Sequence, residues 1–127
     1  RPVVSTLTEG LSPMPRILVV DDDDGVRTLI RDILSAAKHE VDTAATVRAA
    51  RPLVESNYFN LLIADLMLPD GSGIQVAEEA QRRGTPTIIL TAYAHRFRKA
   101  DLARFGLMMK PVRPDELLEA VEKALKG

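Results

Sequence analysis

Carboxylates follow two separate apolar runs in this 127-residue chain, where a strand would be expected to end. Asp21 and Asp22 follow residues 17–20, and Asp65 follows residues 61–64. Short apolar runs bounded by turn residues are typical of buried strands. Carboxylates gathered at one place repel one another unless a cation joins them, and oxygen ligands without histidine or cysteine favour Mg²⁺. The spacing therefore predicts a magnesium site.

Two further runs end in polar residues that suit phosphoryl chemistry. Thr91 follows residues 87–90, and Lys110 follows residues 107–109. A hydroxyl donor and an ammonium group beside a carboxylate and a divalent cation would hold a phosphoryl group. In that arrangement Asp65 is the nucleophile, and the metal ion and Lys110 neutralise charge on the oxygens.

The pattern of apolar residues predicts the elements that must bring these groups together. Five runs with strand character alternate with five helical segments, which predicts an α/β fold with a parallel sheet and helices on both faces. The carboxyl ends of parallel strands meet at one edge, where ligands bind in open α/β sheets. The predicted strands cover residues 17–20, 39–44, 61–65, 87–90 and 107–109, and the helices cover residues 26–37, 46–54, 74–83, 93–105 and 115–126.

Local signals set some of the expected helix boundaries. Thr46 is a candidate N-cap, but Pro52 lies six residues later, so the second helix is expected to be kinked or to begin later with Pro52 in its first turn. Gly84 should stop the third helix, and Pro114 suits the first position of the last one. Asp70, before Gly71, is interpreted as a turn residue rather than a ligand.

The amino-acid composition excludes some classes of function. The net charge is −1, there is no cysteine and no tryptophan, and no apolar run approaches the ~20 residues of a membrane helix. We therefore expect a cytoplasmic protein that binds neither nucleic acid nor membrane directly. Residues 1–15 hold three prolines and show no periodicity, so they are interpreted as a tail or linker before a single domain at 16–127. Whether the chain acts alone or belongs to a longer regulator or kinase stays open.

Four motifs, VVDD, IADLMLPDGSG, IILTAY and MMKP, occur in this order, each at a predicted strand end. Together they resemble the receiver domain of two-component response regulators. The resemblance implies the sheet order 2-1-3-4-5, phosphorylation of Asp65 by a histidine kinase or phosphotransfer protein, and Mg²⁺ as cofactor. It implies a signalling domain rather than an enzyme in the ordinary sense, with an unidentified downstream protein or a homodimer as its further partners.

The resemblance also implies a role for each matching position. Asp22 would bind the metal directly and Asp21 would act through water, while Met67 would contribute only its backbone carbonyl. Thr91 and Lys110 would contact the phosphoryl group. A cis peptide bond is implied before Pro111.

Two features depart from the family pattern. Leu107 stands where many members carry an aromatic residue that switches rotamer, and the region of the fourth helix is shortened. The segment at 93–105 is also basic, which is interpreted as a solvated helix face, with a surface for an acidic partner as the alternative.

Two other functions are considered. One is a receiver-like interaction module that is not phosphorylated. The other is a phosphatase of the haloacid dehalogenase type, because residues 22–26 echo its DxDG(V/T) motif. The phosphatase would leave Asp65 without a role, and the acidic pair expected after the lysine is missing.

Overall fold

A five-stranded parallel sheet forms the centre of the computed structural model, which describes residues 14–126. The strands are β1 Arg16–Val20, β2 Glu40–Ala44, β3 Leu61–Asp65, β4 Thr87–Thr91 and β5 Gly106–Met109. Their order is β2-β1-β3-β4-β5, and every neighbouring pair is parallel. The predicted α/β fold and sheet order are therefore confirmed. Most of the predicted tail, residues 1–13, lies outside the described residues.

Helices cover both faces of the sheet because successive residues of a strand point to opposite sides. The helices are α1 Asp24–Ala36, α2 Val47–Ser56, α3 Gly73–Arg82, α4 Lys99–Leu102 and α5 Pro114–Lys126. On one side, Leu18, Leu62 and Ile89 pack in a cluster with residues of α2, α3 and α4. On the other side, Ile17 and Ile63 pack in a second cluster with residues of α1 and α5.

Helix ends follow local chemistry at most of the predicted positions. The Thr46 hydroxyl accepts a hydrogen bond from the Ala49 N–H at 3.0 Å, so α2 begins at Val47 and continues through Pro52. The alternative of a later start at Pro52 is therefore wrong. Gly84, with φ of +81°, follows the end of α3 in the left-handed conformation that closes helices, as predicted. Helix α5 begins at Pro114, also as predicted.

The fourth helical segment is the main departure from the predicted elements. In place of one helix over residues 93–105, there is a 3₁₀ turn at Ala94–Arg96 and the single-turn helix α4. Phe97 and Leu102 both pack in the same cluster, but in a continuous helix they would point about 140° apart. The extended backbone at Arg98 resolves this conflict. The shortening of this region is confirmed, and its continuous helical form is not.

None of the helices in residues 14–126 is both long enough and apolar enough to span a membrane.

Candidate metal centre

Three carboxylates meet at the carboxyl edge of the sheet. Oxygens of Asp21, Asp22 and Asp65 all lie within 4.8 Å of one another. The strand pairing explains this, because Val20 of β1 lies opposite Ala64 of β3 and the next residues along are Asp21 and Asp65. Asp21 is fully buried and Asp65 nearly so, whereas Asp22 is exposed. The cluster is therefore open to solvent on the side of Asp22.

Asp21 is held by its neighbours, but one of its two side-chain oxygens makes an ion pair without an aligned hydrogen bond. Its Oδ1 accepts a hydrogen bond from the Asp23 N–H at 2.9 Å, and Arg27 Nη1 donates to its backbone carbonyl at 2.6 Å. Its Oδ2 lies 2.8 Å from Lys110 Nζ but has no aligned hydrogen-bond partner among the described residues. Burial raises the pKa of Asp21 above its ordinary value, although Lys110 acts in the opposite direction.

Asp21 Oδ2, which has an ion pair but no aligned hydrogen bond, indicates whether the residues fit a metal ion. A buried carboxylate oxygen without a hydrogen bond is unusual and calls for a ligand. Here two further carboxylates lie beside it, and the cluster contains neither histidine nor cysteine. Oxygen ligands of this kind suit a hard divalent cation such as Mg²⁺. The predicted metal-ligating side chains are thus brought together in an arrangement that fits the ion.

Lys110 connects two of the carboxylates. Its Nζ donates a hydrogen bond to Asp65 Oδ2 at 2.9 Å and makes the 2.8 Å contact with Asp21. Burial alone would lower the pKa of Lys110, but the two carboxylates outweigh burial and raise it. The ammonium group is therefore charged at neutral pH. The peptide bond between Lys110 and Pro111 is cis, as the resemblance implied.

Thr91 and Met67 lie beside the cluster. Thr91 ends β4, is fully buried, and its hydroxyl oxygen accepts the Tyr93 N–H at 3.0 Å. That hydroxyl keeps its own hydrogen for donation to a ligand. The Met67 N–H donates to Asp65 Oδ1 at 3.2 Å, while its side chain is largely exposed. Leu107 lies on edge strand β5 opposite Ile89 and is 49% exposed.

Gly73 is a residue of the site that sequence reasoning passed over. A Cβ atom at this position would lie 1.8 Å from the backbone carbonyl oxygen of Asp65. The Gly73 N–H also donates to the carbonyl of Leu66 at 2.9 Å. Helix α3 therefore begins directly against the backbone of Asp65, at a distance only glycine permits. The glycine-rich turn was visible in the sequence, but the close approach was not.

Asp70 is a turn residue, as predicted, with a further role that the sequence did not reveal. Its carboxylate accepts hydrogen bonds from the N–H groups of Val47 at 2.8 Å and Arg48 at 2.9 Å. These are the first residues of α2, more than twenty positions away. The two hydrogen bonds lower the pKa of Asp70 below its ordinary value.

Comparison with known proteins agrees with this geometry. The family model of the response regulator receiver domain matches residues 17–122. The response regulator protein PilR of Pseudomonas aeruginosa is 33% identical over 116 residues, covering 87% of this chain and 26% of PilR. The transcriptional regulatory protein SrrA of Staphylococcus aureus is 32% identical over 114 residues, covering 87% of this chain and 47% of SrrA. The chain thus spans less than half the length of either relative.

Solved structures give the same result. A CheY-like receiver domain protein from Methanospirillum hungatei superposes with a TM-score of 0.83 at 35% identity, covering 89% of this chain and 94% of that one. The response regulator TrrA of Thermotoga maritima, solved in complex with Mg²⁺ and BeF, superposes with a TM-score of 0.80 at 34% identity. The match covers 87% of this chain and 99% of TrrA.

Proposed function

This chain belongs to the response regulator receiver domain family, and we propose that it is a phosphoryl-accepting switch in a two-component phosphorelay, phosphorylated on Asp65. The observation that carries the proposal is the setting of Asp65. Its carboxylate is nearly buried, bonded to the Lys110 ammonium at 2.9 Å, and within 4.8 Å of two further carboxylates. A nucleophile, a fixed cation and a metal-ligating cluster are the parts that phosphoryl transfer requires.

The reaction uses the side chains in separate roles. A carboxylate oxygen of Asp65 attacks the phosphorus of a phosphohistidine on a histidine kinase or phosphotransfer protein. The P–N bond breaks, and an acyl phosphate forms on Asp65. Lys110 neutralises charge on the phosphoryl oxygens, and Thr91 donates its hydroxyl hydrogen to one of them.

Asp22, Asp21, Asp65 and the backbone carbonyl of Met67 would hold the metal ion. Bound there, Mg²⁺ would supply Lewis-acid stabilisation of negative charge on the transferring phosphoryl group. The Mg²⁺ and BeF reported with TrrA support this choice of ion.

Phosphorylation replaces the single negative charge of the Asp65 carboxylate with about −1.5 to −2 charges on a phosphoryl group beside Lys110 and the acidic cluster. This change biases the packing of the domain and its affinity for a partner. The downstream partner is a protein or a second copy of this chain. Leu107 occupies the switch position, where leucine lacks the aromatic rotamer change. We therefore propose that the signal does not depend on rotation of an aromatic side chain here.

A second candidate is a receiver-like interaction module that is not phosphorylated. Leu107 and the one-turn helix α4 favour it, because both alter the region that would carry the signal. The complete set of acidic, hydroxyl and ammonium groups around Asp65 argues for phosphorylation instead. The phosphatase alternative has no support from the family match or the sheet order.

Intact-mass spectrometry after incubation with a small-molecule phosphodonor and Mg²⁺ tests the proposal. We expect the wild-type chain to gain the mass of one phosphoryl group, and the Asp65→Ala variant to gain none. Asp24→Ala is the matched control, since Asp24 is an exposed member of the same acidic run. Removal of Mg²⁺ with a chelator should prevent the gain. No gain in the wild type, or a gain that persists in Asp65→Ala, would contradict the proposal.

A further inference from the structure

The segment after Asp65 forms a β-hairpin that is too short to be stable alone. Its two strands, Met67–Leu68 and Gly71–Ser72, hold two residues each and pair antiparallel, with Met67 opposite Ser72. Even a longer isolated hairpin is only marginally stable in water. The conformation of this hairpin therefore depends on contacts with the rest of the domain.

Asp70, at the tip of the hairpin, provides two polar contacts of this kind. Both of its carboxylate oxygens accept hydrogen bonds from the start of α2, Oδ1 from the Val47 N–H at 2.8 Å and Oδ2 from the Arg48 N–H at 2.9 Å. An ionised carboxylate at a helix N-terminus also interacts favourably with the helix dipole. A Cβ placed on neighbouring Gly71 would lie 3.3 Å from Val47 Cγ2, so the tip packs closely on α2.

We infer that Asp70 is a positioning residue for the metal centre and acts through this hairpin. The hairpin begins at Met67, whose N–H bonds to Asp65 Oδ1 and whose carbonyl is a proposed metal ligand. Fixing the tip to α2 fixes the path of the backbone at Met67, three residues away. The inference rests on the proposed function, because it concerns the metal affinity of the same site.

The competing explanation is that Asp70 merely caps α2, and the chain offers a variant that separates the two roles. Thr46 caps the same helix through its hydroxyl, which accepts the Ala49 N–H at 3.0 Å. Thr46 lies at the start of α2 rather than on the hairpin. Thr46→Ala therefore removes a cap from α2 and leaves the anchor of the hairpin in place.

Titration of each protein with Mg²⁺, followed by amide chemical shifts, measures its dissociation constant for the ion. We expect Asp70→Ala to raise the dissociation constant for Mg²⁺ about tenfold, as loss of a residue supporting metal ligands commonly does. Thr46→Ala should leave that constant within about twofold of the wild type, because the hairpin keeps its anchor. The rate of phosphorylation by a small-molecule donor should fall in Asp70→Ala at subsaturating Mg²⁺ and recover at saturating Mg²⁺.

Several outcomes would overturn the inference. Equal Mg²⁺ affinity in the two alanine variants would show that Asp70 only caps a helix. If Asp70→Ala does not fold, Asp70→Asn, which keeps one acceptor oxygen, should show an intermediate dissociation constant, and a wild-type value would refute the inference. Failure of the wild-type chain to bind Mg²⁺ would overturn the proposed function as well. If the wild-type chain binds Mg²⁺ and Asp70→Ala binds it equally well, the positioning role of Asp70 is refuted and the proposed function is not.

Discussion

Replacing Gly73 with alanine should destabilise the domain and displace Asp65, the proposed phosphoacceptor. The added Cβ would lie 1.8 Å from the carbonyl oxygen of Asp65 and 2.8 Å from its carbonyl carbon. Both are backbone atoms at the end of the buried strand β3, so no flexible side chain can move aside. Either the start of α3 or the end of β3 must shift, and Asp65 lies between them.

The size of the effect follows from the geometry. Even a tight contact needs 3.0 Å, so the two atoms must separate by at least the difference between 1.8 and 3.0 Å. Overpacking in a core costs about 1–3 kcal/mol, and the rigid backbone on both sides places this case at the upper end. Alanine also restricts the unfolded chain, which stabilises the folded state by at most about 1 kcal/mol. The net loss of about 2 kcal/mol should lower Tm by about 8 °C or more.

Thermal unfolding followed by circular dichroism, with and without Mg²⁺, tests this prediction. Gly106→Ala is the matched control, because its Cβ would lie 3.4 Å from the nearest atom, Ile88 Cγ1, which is ordinary contact. Its Tm should stay within about 2 °C of the wild type. Gly73→Ala should also lose most of the stabilisation by Mg²⁺. A Gly73→Ala protein that melts and responds to Mg²⁺ as the wild type does would refute the reasoning.

Three further predictions follow from charge. Because burial raises the pKa of Asp21, the ionised form of this carboxyl lowers the stability of the folded state at any pH above that pKa. Asp21→Asn should therefore raise Tm at pH 7 in the absence of divalent cations, and a lower Tm would contradict this. The same variant should lose all stabilisation by Mg²⁺. Because the pKa of Lys110 is raised in the folded state, its stabilisation is complete below its unfolded value of about 10.4 and is lost as pH rises through the folded value. Urea unfolding should therefore show a wild-type advantage over Lys110→Met that is constant from about pH 7 to 9 and shrinks above about pH 10.4; an unchanged advantage there would count against it. Burial lowers the pKa of His39, so stability should fall as pH drops below about 6.5. His39→Gln should flatten that slope in melting experiments, and an unchanged slope in the variant would contradict the prediction.

The parts of the site that lie at strand ends could be predicted because two simple regularities determine them. A buried strand ends where its apolar run ends, and parallel strands bring those ends to one edge. Asp21, Asp65, Thr91 and Lys110 follow from these regularities, and the structure places all four at that edge. The roles of these residues in phosphoryl transfer stay predictions until the chemistry is measured.

Contacts between distant segments could not be predicted in this way. The hydrogen bond that the Arg48 N–H donates to Asp70 and the close approach of Gly73 to Asp65 depend on how loops lie relative to helices, which no periodic pattern encodes. The break in the predicted helix at Arg98 also depends on contacts with distant segments. Basic and apolar residues at 93–105 are compatible with a helix locally, and only the shared core contact of Phe97 and Leu102 requires the break.

The geometry around Lys110 also constrains how the proposed switch would work. Its ammonium lies 2.8 Å from Asp21 Oδ2 and 2.9 Å from Asp65 Oδ2, so one cation now serves two carboxylates. A divalent cation bound by Asp21 and Asp65 would repel the ammonium and compete for the same oxygens. A phosphoryl group on Asp65 would offer Lys110 new anionic oxygens while the metal ion balances Asp21. Metal binding and phosphorylation should therefore strengthen each other. The metal ion takes oxygens of Asp21 and Asp65 from Lys110, and the phosphoryl group gives Lys110 new anionic oxygens in their place.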